Sequence, residues 1–282
     1  MKSIKNIVLR ENFFDFCPPI VMAIINITPD SFFSESRCSE EKTIIERAEK
    51  AINEGAKILD IGGYSTRPNA DFVSEEEEIR RVCWALEIIR KNFQEIPISI
   101  DTFSAKVAEI AVNQYDVDMI NDISGGMFDE NMLLTVAKIN RPYVLTHTKG
   151  TPQNMQQMTD YEDLTADILK YFSEKTEELR NLGFTSDIIL DVGFGFAKTT
   201  EQNYQLMREL SVFECFNAPI LVGVSRKSMI YNVLGTTPQN ALNGTTALHT
   251  VALLNGANIL RTHDVKEAIE TVKIIEKLKT KN

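Results

Sequence analysis

Short apolar runs rich in β-branched residues recur along the chain at 21–25, 56–61, 98–100, 119–120, 143–146, 188–190, 220–224 and 257–260. Each reads as a strand buried on both faces, the signature of a parallel sheet. Between them apolar residues return with the period of a helix. Ile44, Ala48, Ala51 and Ile52 make one such stripe, and Ile79, Val82, Cys83, Leu86 and Ile89 another. Eight strands alternate with helical patterns and no long linker intervenes. The pattern predicts an α/β fold: a single (β/α)8 TIM barrel spanning residues 1–282. Residues 1–19, with Val8, Phe14 and Phe16, precede the repeat and are expected to form a short extension, a hairpin, closing the bottom of the barrel.

Local signals mark the helix ends. Ser74 followed by Glu77 predicts a capping box, and the acidic run 75–78 suits a helix N-terminus. Gly55, Gly183 and Gly256 each follow a helical stretch, where a left-handed residue commonly ends a helix. His249, among Ala247, Leu248, Val251 and Ala252, reads as a packed helix residue.

A length of 282 residues allows two domains or one barrel, and the strand rhythm favours the barrel. A formal charge of −10 is the wrong sign for wrapping nucleic acid or for an anionic membrane surface. No apolar run approaches the roughly 20 residues of a membrane span. The expected partners are therefore small molecules, and an anionic one needs a local basic cluster. Cys17, Cys38, Cys83 and Cys215 lie far apart without a C-x-x-C, which predicts reduced, mostly buried thiols in a cytoplasmic protein.

In a parallel barrel, chemistry sits at the carboxyl ends of the strands. Here every apolar run ends in polar residues: Asn26, Asp60, Asp101, Asn121 with Asp122, His147, Asp191, Ser225-Arg226-Lys227, and Arg261 with His263. Asp101, Asn121 and Asp191 suit a flat heterocycle whose edge carries several donors and acceptors. A carboxylate pair for glycoside hydrolysis is the rival use of the same residues. Lys227, Arg261 and His263 come from the seventh and eighth strands, where barrels hold phosphate; an ion-pair network at the barrel mouth is the alternative. Gly193-x-Gly195 is half a dinucleotide fingerprint, but Lys198 stands at the third glycine position and excludes it.

Six segments carry a resemblance. They are Asn26-Ile27-Thr28-Pro29-Asp30-Ser31-Phe32; Asp60-Ile61-Gly62-Gly63 with Ser65-Thr66-Arg67-Pro68; Ser99-Ile100-Asp101-Thr102; Ile120-Asn121-Asp122-Ile123-Ser124-Gly125-Gly126; Ser225-Arg226-Lys227-Ser228; and Arg261-Thr262-His263-Asp264. In this order, over nearly the whole chain after about residue 20, the sequence resembles the dihydropteroate synthase family of pterin-binding barrels. The resemblance implies a folate-pathway transferase, a target of sulfonamides, that condenses 6-hydroxymethyl-7,8-dihydropterin diphosphate with p-aminobenzoate and releases pyrophosphate. It also implies Mg2+ and a homodimer.

Carried over by motif, Asp101, Asn121, Asp191 and Lys227 would hold the pterin. Asn26, Arg67, Arg261 and His263 would hold the pyrophosphate, with Asn26 on the Mg2+, and Asp101, Lys227, Arg261 and His263 would be the catalytic set. Thr66, Arg67, Pro68, Phe196, Lys227 and Ser228 would surround p-aminobenzoate, with the loops bearing Asp30 and Glu35 closing above. The sequence departs from the family pattern at Tyr64 (usually Glu), Val192 (Pro), Ala197 (often Gly) and Thr148 (often Met), and Ser34-Glu35 replaces a later Asp of the first loop. A tetrahydropterin-dependent methyltransferase would share the Asp101, Asn121 and Asp191 pocket without needing the basic cluster, and a non-catalytic pterin-binding module would bind without turnover.

Overall fold

The structure, a computed structural model, describes residues 6–9, 12–27, 37–64, 73–151 and 154–279. After a two-stranded antiparallel hairpin, β1 (Asn6–Leu9) and β2 (Asn12–Asp15), come eight parallel strands. These are β3 (Ile20–Asn26), β4 (Ile58–Gly62), β5 (Ile98–Asp101), β6 (Met119–Asp122), β7 (Tyr143–Thr146), β8 (Ile188–Asp191), β9 (Ile220–Val222) and β10 (Ile259–Thr262). They close into a barrel in sequence order, β10 pairing with β3. The covering helices are α1 (Arg37–Glu54), α2 (Glu75–Asn92), α3 (Ala105–Tyr115), α4 (Met132–Ile139), α5 (Leu164–Asn181), α6 (Thr200–Glu209), α7 (Ser228–Leu234), α8 (Leu242–Leu254) and α9 (Val265–Lys279), with both α7 and α8 between β9 and β10.

Alternation of side chains across each strand sorts the core into two clusters. Val21, Leu59, Ile100, Ile120, Leu145, Leu190, Val222 and Leu260 face outward beneath the helices. The inward residues stack in layers drawn from alternate strands, as closure of an eight-stranded barrel requires. Ile58, Met119, Ile189 and Ile259 form the lowest complete layer, and Met22, Ser99, Val144 and Leu221 the next. Above them the register places Asp60, Asn121, Asp191 and Arg261 on one level, then Ile24, Asp101, Thr146 and Gly223. The lumen is oil below and polar above.

The hairpin seals the oily end, as expected, with Phe16 buried there and Phe14 packed against the cluster, but Val8 is not part of it. Ile7, Leu9 and Phe16 join the lower lumen cluster, whereas Val8 faces solvent and its N–H donates to Asp187 at 3.1 Å. Two-residue alternation admits Ile7 and Leu9 inward only if Val8 points out.

Other expectations need adjustment. Ser74 caps α2 by accepting from the Glu77 N–H, but Glu77 gives its carboxylate to Arg80 and Arg81, so the reciprocal half of the box is not made there; Thr199 and Gln202 make a complete box on α6. Cys17 and Cys215 are exposed and Cys83 half-buried, against the expectation of mostly buried thiols; all three are free. Gly55, Gly183 and Gly256 do end their helices in the left-handed region, and His249 is packed inside α8 at 1% exposure.

Candidate functional site

The strand ends that read as caps in the sequence are the last rungs of the ladder, so their side chains continue the inward alternation. Asp101, Asn121, Asp191 and Arg261 all lie within strands and converge at the barrel mouth. The Arg261 guanidinium bridges two carboxylates, donating from Nε to Asp60 Oδ2 at 2.6 Å and from a terminal nitrogen to Asp101 Oδ2. Asn121 donates its amide to the same Asp60 oxygen at 3.0 Å. Asp60 is fully buried. Its role escapes sequence reading because its partner Arg261 is 201 residues away.

These contacts bear on two of the alternatives. Asp101, one of the two carboxylates of the rival acid–base reading, is held with Asp60 on the Arg261 guanidinium and does not stand free opposite Asp191. The ion-pair network is present, yet it engages two of the five N–H donors of Arg261, which leaves the guanidinium donors for an anion as well.

Burial dominates the electrostatics. Desolvation pushes the Asp101 carboxyl up to about 7 against the opposing pull of Arg261, with Asp60 adding to the rise. Asp191 is raised by the same cause, opposed by Lys227, Arg261 and Lys198; its carboxylate accepts from the Gly193 N–H at 2.8 Å. Lys227 is pushed down to about 8 by burial against the favourable charge of Asp191. Its ammonium donates to the Phe194 carbonyl at 2.6 Å and sits 4.3 Å from the centre of the Phe196 ring.

A surrounding ring of contacts fixes these groups. Lys198, read in sequence only as the residue that breaks a glycine motif, is 4% exposed. Its Nζ lies 3.1 Å from His147 Nδ1, 3.1 Å from the Gly193 carbonyl and 3.0 Å from the Phe196 carbonyl, tying the loop after β8 to the end of β7. Burial lowers it to about 7. Glu78 of α2, also buried, accepts from the Thr102 hydroxyl at 2.6 Å just beyond Asp101. Asp122 turns outward and collects Ser124, the Gly126 N–H and the Tyr143 hydroxyl, shaping the loop after β6. Arg226 forms a two-point pair with Asp264 at 2.8 and 2.7 Å, joining the loops after β9 and β10. Nothing in sequence spacing shows that Lys198 and Glu78 are interior.

The remaining expected residues fall as follows. Asn26 ends β3 beside Gly62, whose missing side chain leaves the approach between Asn26 Oδ1 and Asp101 open. His263 is exposed on the rim, 3.1 Å from Ser225 Oγ through Nδ1. Phe196 and Ser228 are half-buried beside Lys227. Asp30, Glu35, Thr66, Arg67 and Pro68 lie outside the described residues. Among the departures, Tyr64 packs edge-on against Phe103 at 5.0 Å, and Ala197 adopts φ 49°, a conformation glycine reaches without strain. No cluster of three or more His, Cys, Asp or Glu suited to a metal occurs among the described residues.

Comparison with known proteins agrees with this geometry. Residues 22–263 match the family described as pterin binding enzyme. A dihydropteroate synthase of Synechocystis sp. is 42% identical over 260 residues, covering 92% of this chain and 89% of that protein. Among solved structures, the Yersinia pestis dihydropteroate synthase with a sulfonamide drug complex superposes with a TM-score of 0.90 at 37% identity, covering 97% of this chain and 98% of the other. The Thermus thermophilus dihydropteroate synthase in complex with 4-aminobenzoate gives a TM-score of 0.85 at 32% identity, covering 97% and 100%.

Proposed function

The chain belongs to the pterin-binding enzymes, within the dihydropteroate synthases, and from that premise we propose how its own residues carry the condensation of 6-hydroxymethyl-7,8-dihydropterin diphosphate with p-aminobenzoate. The observation that carries the reading is the polar layer of Asp60, Asn121, Asp191 and Arg261, laid over an apolar floor and topped by Asp101. Asp191 accepts from the amino-pyrimidine edge of the pterin, Asn121 both donates and accepts, and Lys227, protonated near neutrality, donates to ring acceptors.

Asn26, Arg67, Arg261 and His263 take the diphosphate. Their charges and dipoles favour the negative charge that grows on the leaving pyrophosphate. The Asp101 carboxylate faces the positive charge that spreads into the pterin as the methylene–oxygen bond breaks. An aromatic amine is unprotonated at neutral pH, so the attack needs no strong base, and the barrier lies in departure of the leaving group. The p-aminobenzoate ring sits by Phe196, Lys227 and Ser228, with Thr66, Arg67 and Pro68 completing its site and the loops bearing Asp30 and Glu35 closing over it.

Mg2+ fits this arrangement. It commonly takes one or two protein oxygens and fills its shell with water and substrate phosphate, and the Asn26 carboxamide oxygen beside the open Gly62 offers such a ligand. Bound there, the ion would neutralise charge on the diphosphate.

The reading includes a homodimer, supported by apolar side chains exposed on the adjacent helices α7, α8 and α9: Val233, Leu234, Val251, Leu254, Ile274 and Leu278. It places the enzyme in the cytoplasm, in keeping with free thiols; no described helix is long and apolar enough to cross a membrane. Incubating the protein with both substrates and Mg2+ tests the whole reading. Stoichiometric pyrophosphate and dihydropteroate are expected. Tight pterin binding without pyrophosphate release would identify a binding module instead.

A further inference from the structure

The loop after β8 carries Phe196 and runs outside any helix or strand. Left-handed residues alternate along it, Gly193 at φ 72°, Gly195 at 81° and Ala197 at 49°, and turn its successive carbonyls in different directions. Each carbonyl from Gly193 to Ala197 nevertheless accepts from a side chain. Lys198 Nζ donates to Gly193 at 3.1 Å and to Phe196 at 3.0 Å, and Lys227 Nζ to Phe194 at 2.6 Å. Gln156 Nε2 donates to Gly195 at 3.0 Å and the Tyr161 hydroxyl to Ala197 at 2.9 Å. The Gly195 N–H is held as well, by Asn203 Oδ1 at 2.7 Å.

Gln156 and Tyr161 have no part in the assignments above. Both lie in the stretch 154–163 that follows β7, and that stretch is itself fixed. Met155, beside Gln156, is buried at 2% exposure. Lys149 Nζ sits 3.6 Å from the centre of the Tyr161 ring and donates to the Asp160 carbonyl at 2.8 Å. Gln202 of α6 donates to the Thr159 carbonyl at 2.8 Å. The two carbonyls gripped by Gln156 and Tyr161 belong to the residues on either side of Phe196, so together they set the direction in which its ring points. A surface loop ordinarily gives its carbonyls to water and stays mobile. Here fixed side chains replace the water, and the loop is ordered at folding instead of at binding.

We propose that Gln156 and Tyr161 are positioning residues for p-aminobenzoate, holding the loop after β8 in one conformation so that Phe196 is a preformed wall that orients the ring for attack. The inference rests on the assignment of Phe196 to the p-aminobenzoate site. Both side chains act through the backbone they grip: their polar atoms are engaged on carbonyls. A wall fixed in advance discriminates by shape, because an amine carried at another ring position is held away from the line of attack.

Tyr161→Phe deletes one hydroxyl, and Gln156→Met replaces the amide with an unbranched side chain that cannot donate. In steady-state assays with Mg2+ and both substrates, each should raise KM for p-aminobenzoate about threefold and the double variant about tenfold, with KM for the pterin diphosphate unchanged. The preference for p-aminobenzoate over m-aminobenzoate should narrow by a similar factor, which a merely structural role would not produce. Amide hydrogen exchange over 193–198 should quicken in the double variant while β7 and β8 keep their protection. Faster exchange with parental KM and isomer preference would overturn the positioning role, and unchanged exchange would overturn the grip itself. Failure of the unaltered enzyme to turn over p-aminobenzoate would fall instead on the assignment of the site, and the exchange measurement would still decide whether the two side chains hold the loop.

Discussion

Replacing Arg261 with methionine separates the two roles of the residue that joins the barrel mouth. Methionine replaces the aliphatic stem and lacks the guanidinium and its charge. In the native chain the guanidinium neutralises Asp60, wholly buried, and Asp101, 18% exposed at its side chain. Removing one partner of a buried ion pair typically costs about 3–5 kcal/mol, because the remaining charge is stranded. For a chain of this length the unfolding entropy is about 0.6 kcal/mol per kelvin, so the unfolding temperature should fall by about 5–8 °C.

The loss should depend on pH, and the sign follows from Asp101. Its carboxyl titrates at about 7 in the folded chain, above the 3.8 of an ordinary aspartate. A carboxyl whose folded pKa is raised holds its proton in the native state after the unfolded chain has released it, so its contribution weakens as pH rises toward the folded value. Without Arg261 the carboxyl rises further. At pH 6 it protonates and relieves the stranded charge; at pH 8 it is more often ionised, and the variant should be at its weakest relative to the parent. Urea denaturation at both pH values reads the difference, and adding Asp60→Asn should restore part of the stability through a measurable coupling. If Arg261→Met unfolds within about 0.5 kcal/mol of the parent at pH 8, with no coupling to Asp60, the guanidinium does not compensate these carboxylates and the argument fails.

Two further outcomes follow from the geometry. His263, exposed on the rim, should act on the anion alone: His263→Ala is expected to weaken calorimetric binding of the pterin diphosphate by roughly 1.5–3 kcal/mol while sparing the pterin that lacks its diphosphate and the unfolding temperature. Equal losses for the two ligands would reject its place on the phosphates. Gly193 has φ +72°, and a Cβ there would lie 1.9 Å from the His147 carbonyl oxygen, whereas Gly183 at φ +89° has nothing within 4 Å. Gly193→Ala should therefore displace the loop that feeds Asp191 and Lys198 and lower the unfolding temperature well beyond Gly183→Ala, which pays only the left-handed strain of about 1–2 kcal/mol; similar values for both would show that the loop yields freely.

How much of this was legible in the sequence depended on the range over which each cause acts. The barrel strands were legible because burial on both faces makes each one a continuous apolar run. Their ends were misplaced for a related reason. The apolar runs stop at Ile100, Ile120, Leu190 and Leu260, but the ladders continue through Asp101, Asp122, Asp191 and Thr262, because the upper lumen accepts polar side chains. At 56–61 the error runs the other way: Ala56 and Lys57 are apolar or merely adjacent, and the strand starts at Ile58. The rim residues were legible as a set, since position at a strand end is a local property. Which of them touch was not, because Arg261 meets Asp60 and Asp101 across 201 and 160 residues. Lys198 was illegible for another reason: a lysine is ordinarily solvated, and only the folded loop, with its carbonyls turned inward, makes an interior site for one.

The apolar floor explains why the site titrates as it does. Ile7, Leu9 and Phe16 pack below Met22, Met119, Val144 and Leu221, so the charged layer rests on a buried apolar base. A low-dielectric base under Asp60, Asp101, Asp191 and Arg261 strengthens every charge interaction there and disfavours each charge left without a partner. That single arrangement raises Asp101 and Asp191 and lowers Lys227 and Lys198 together, although the two pairs carry opposite charges. Individual ion pairing would favour the charged form of both kinds and move them the opposite way. The mouth is thus held in a state of incomplete compensation, and a ligand with a hydrogen-bonding edge and an anionic tail supplies the missing partners at once. Binding and stabilisation of the fold are on this argument the same event, which is why the hairpin at the far end of the barrel belongs to the function of the mouth.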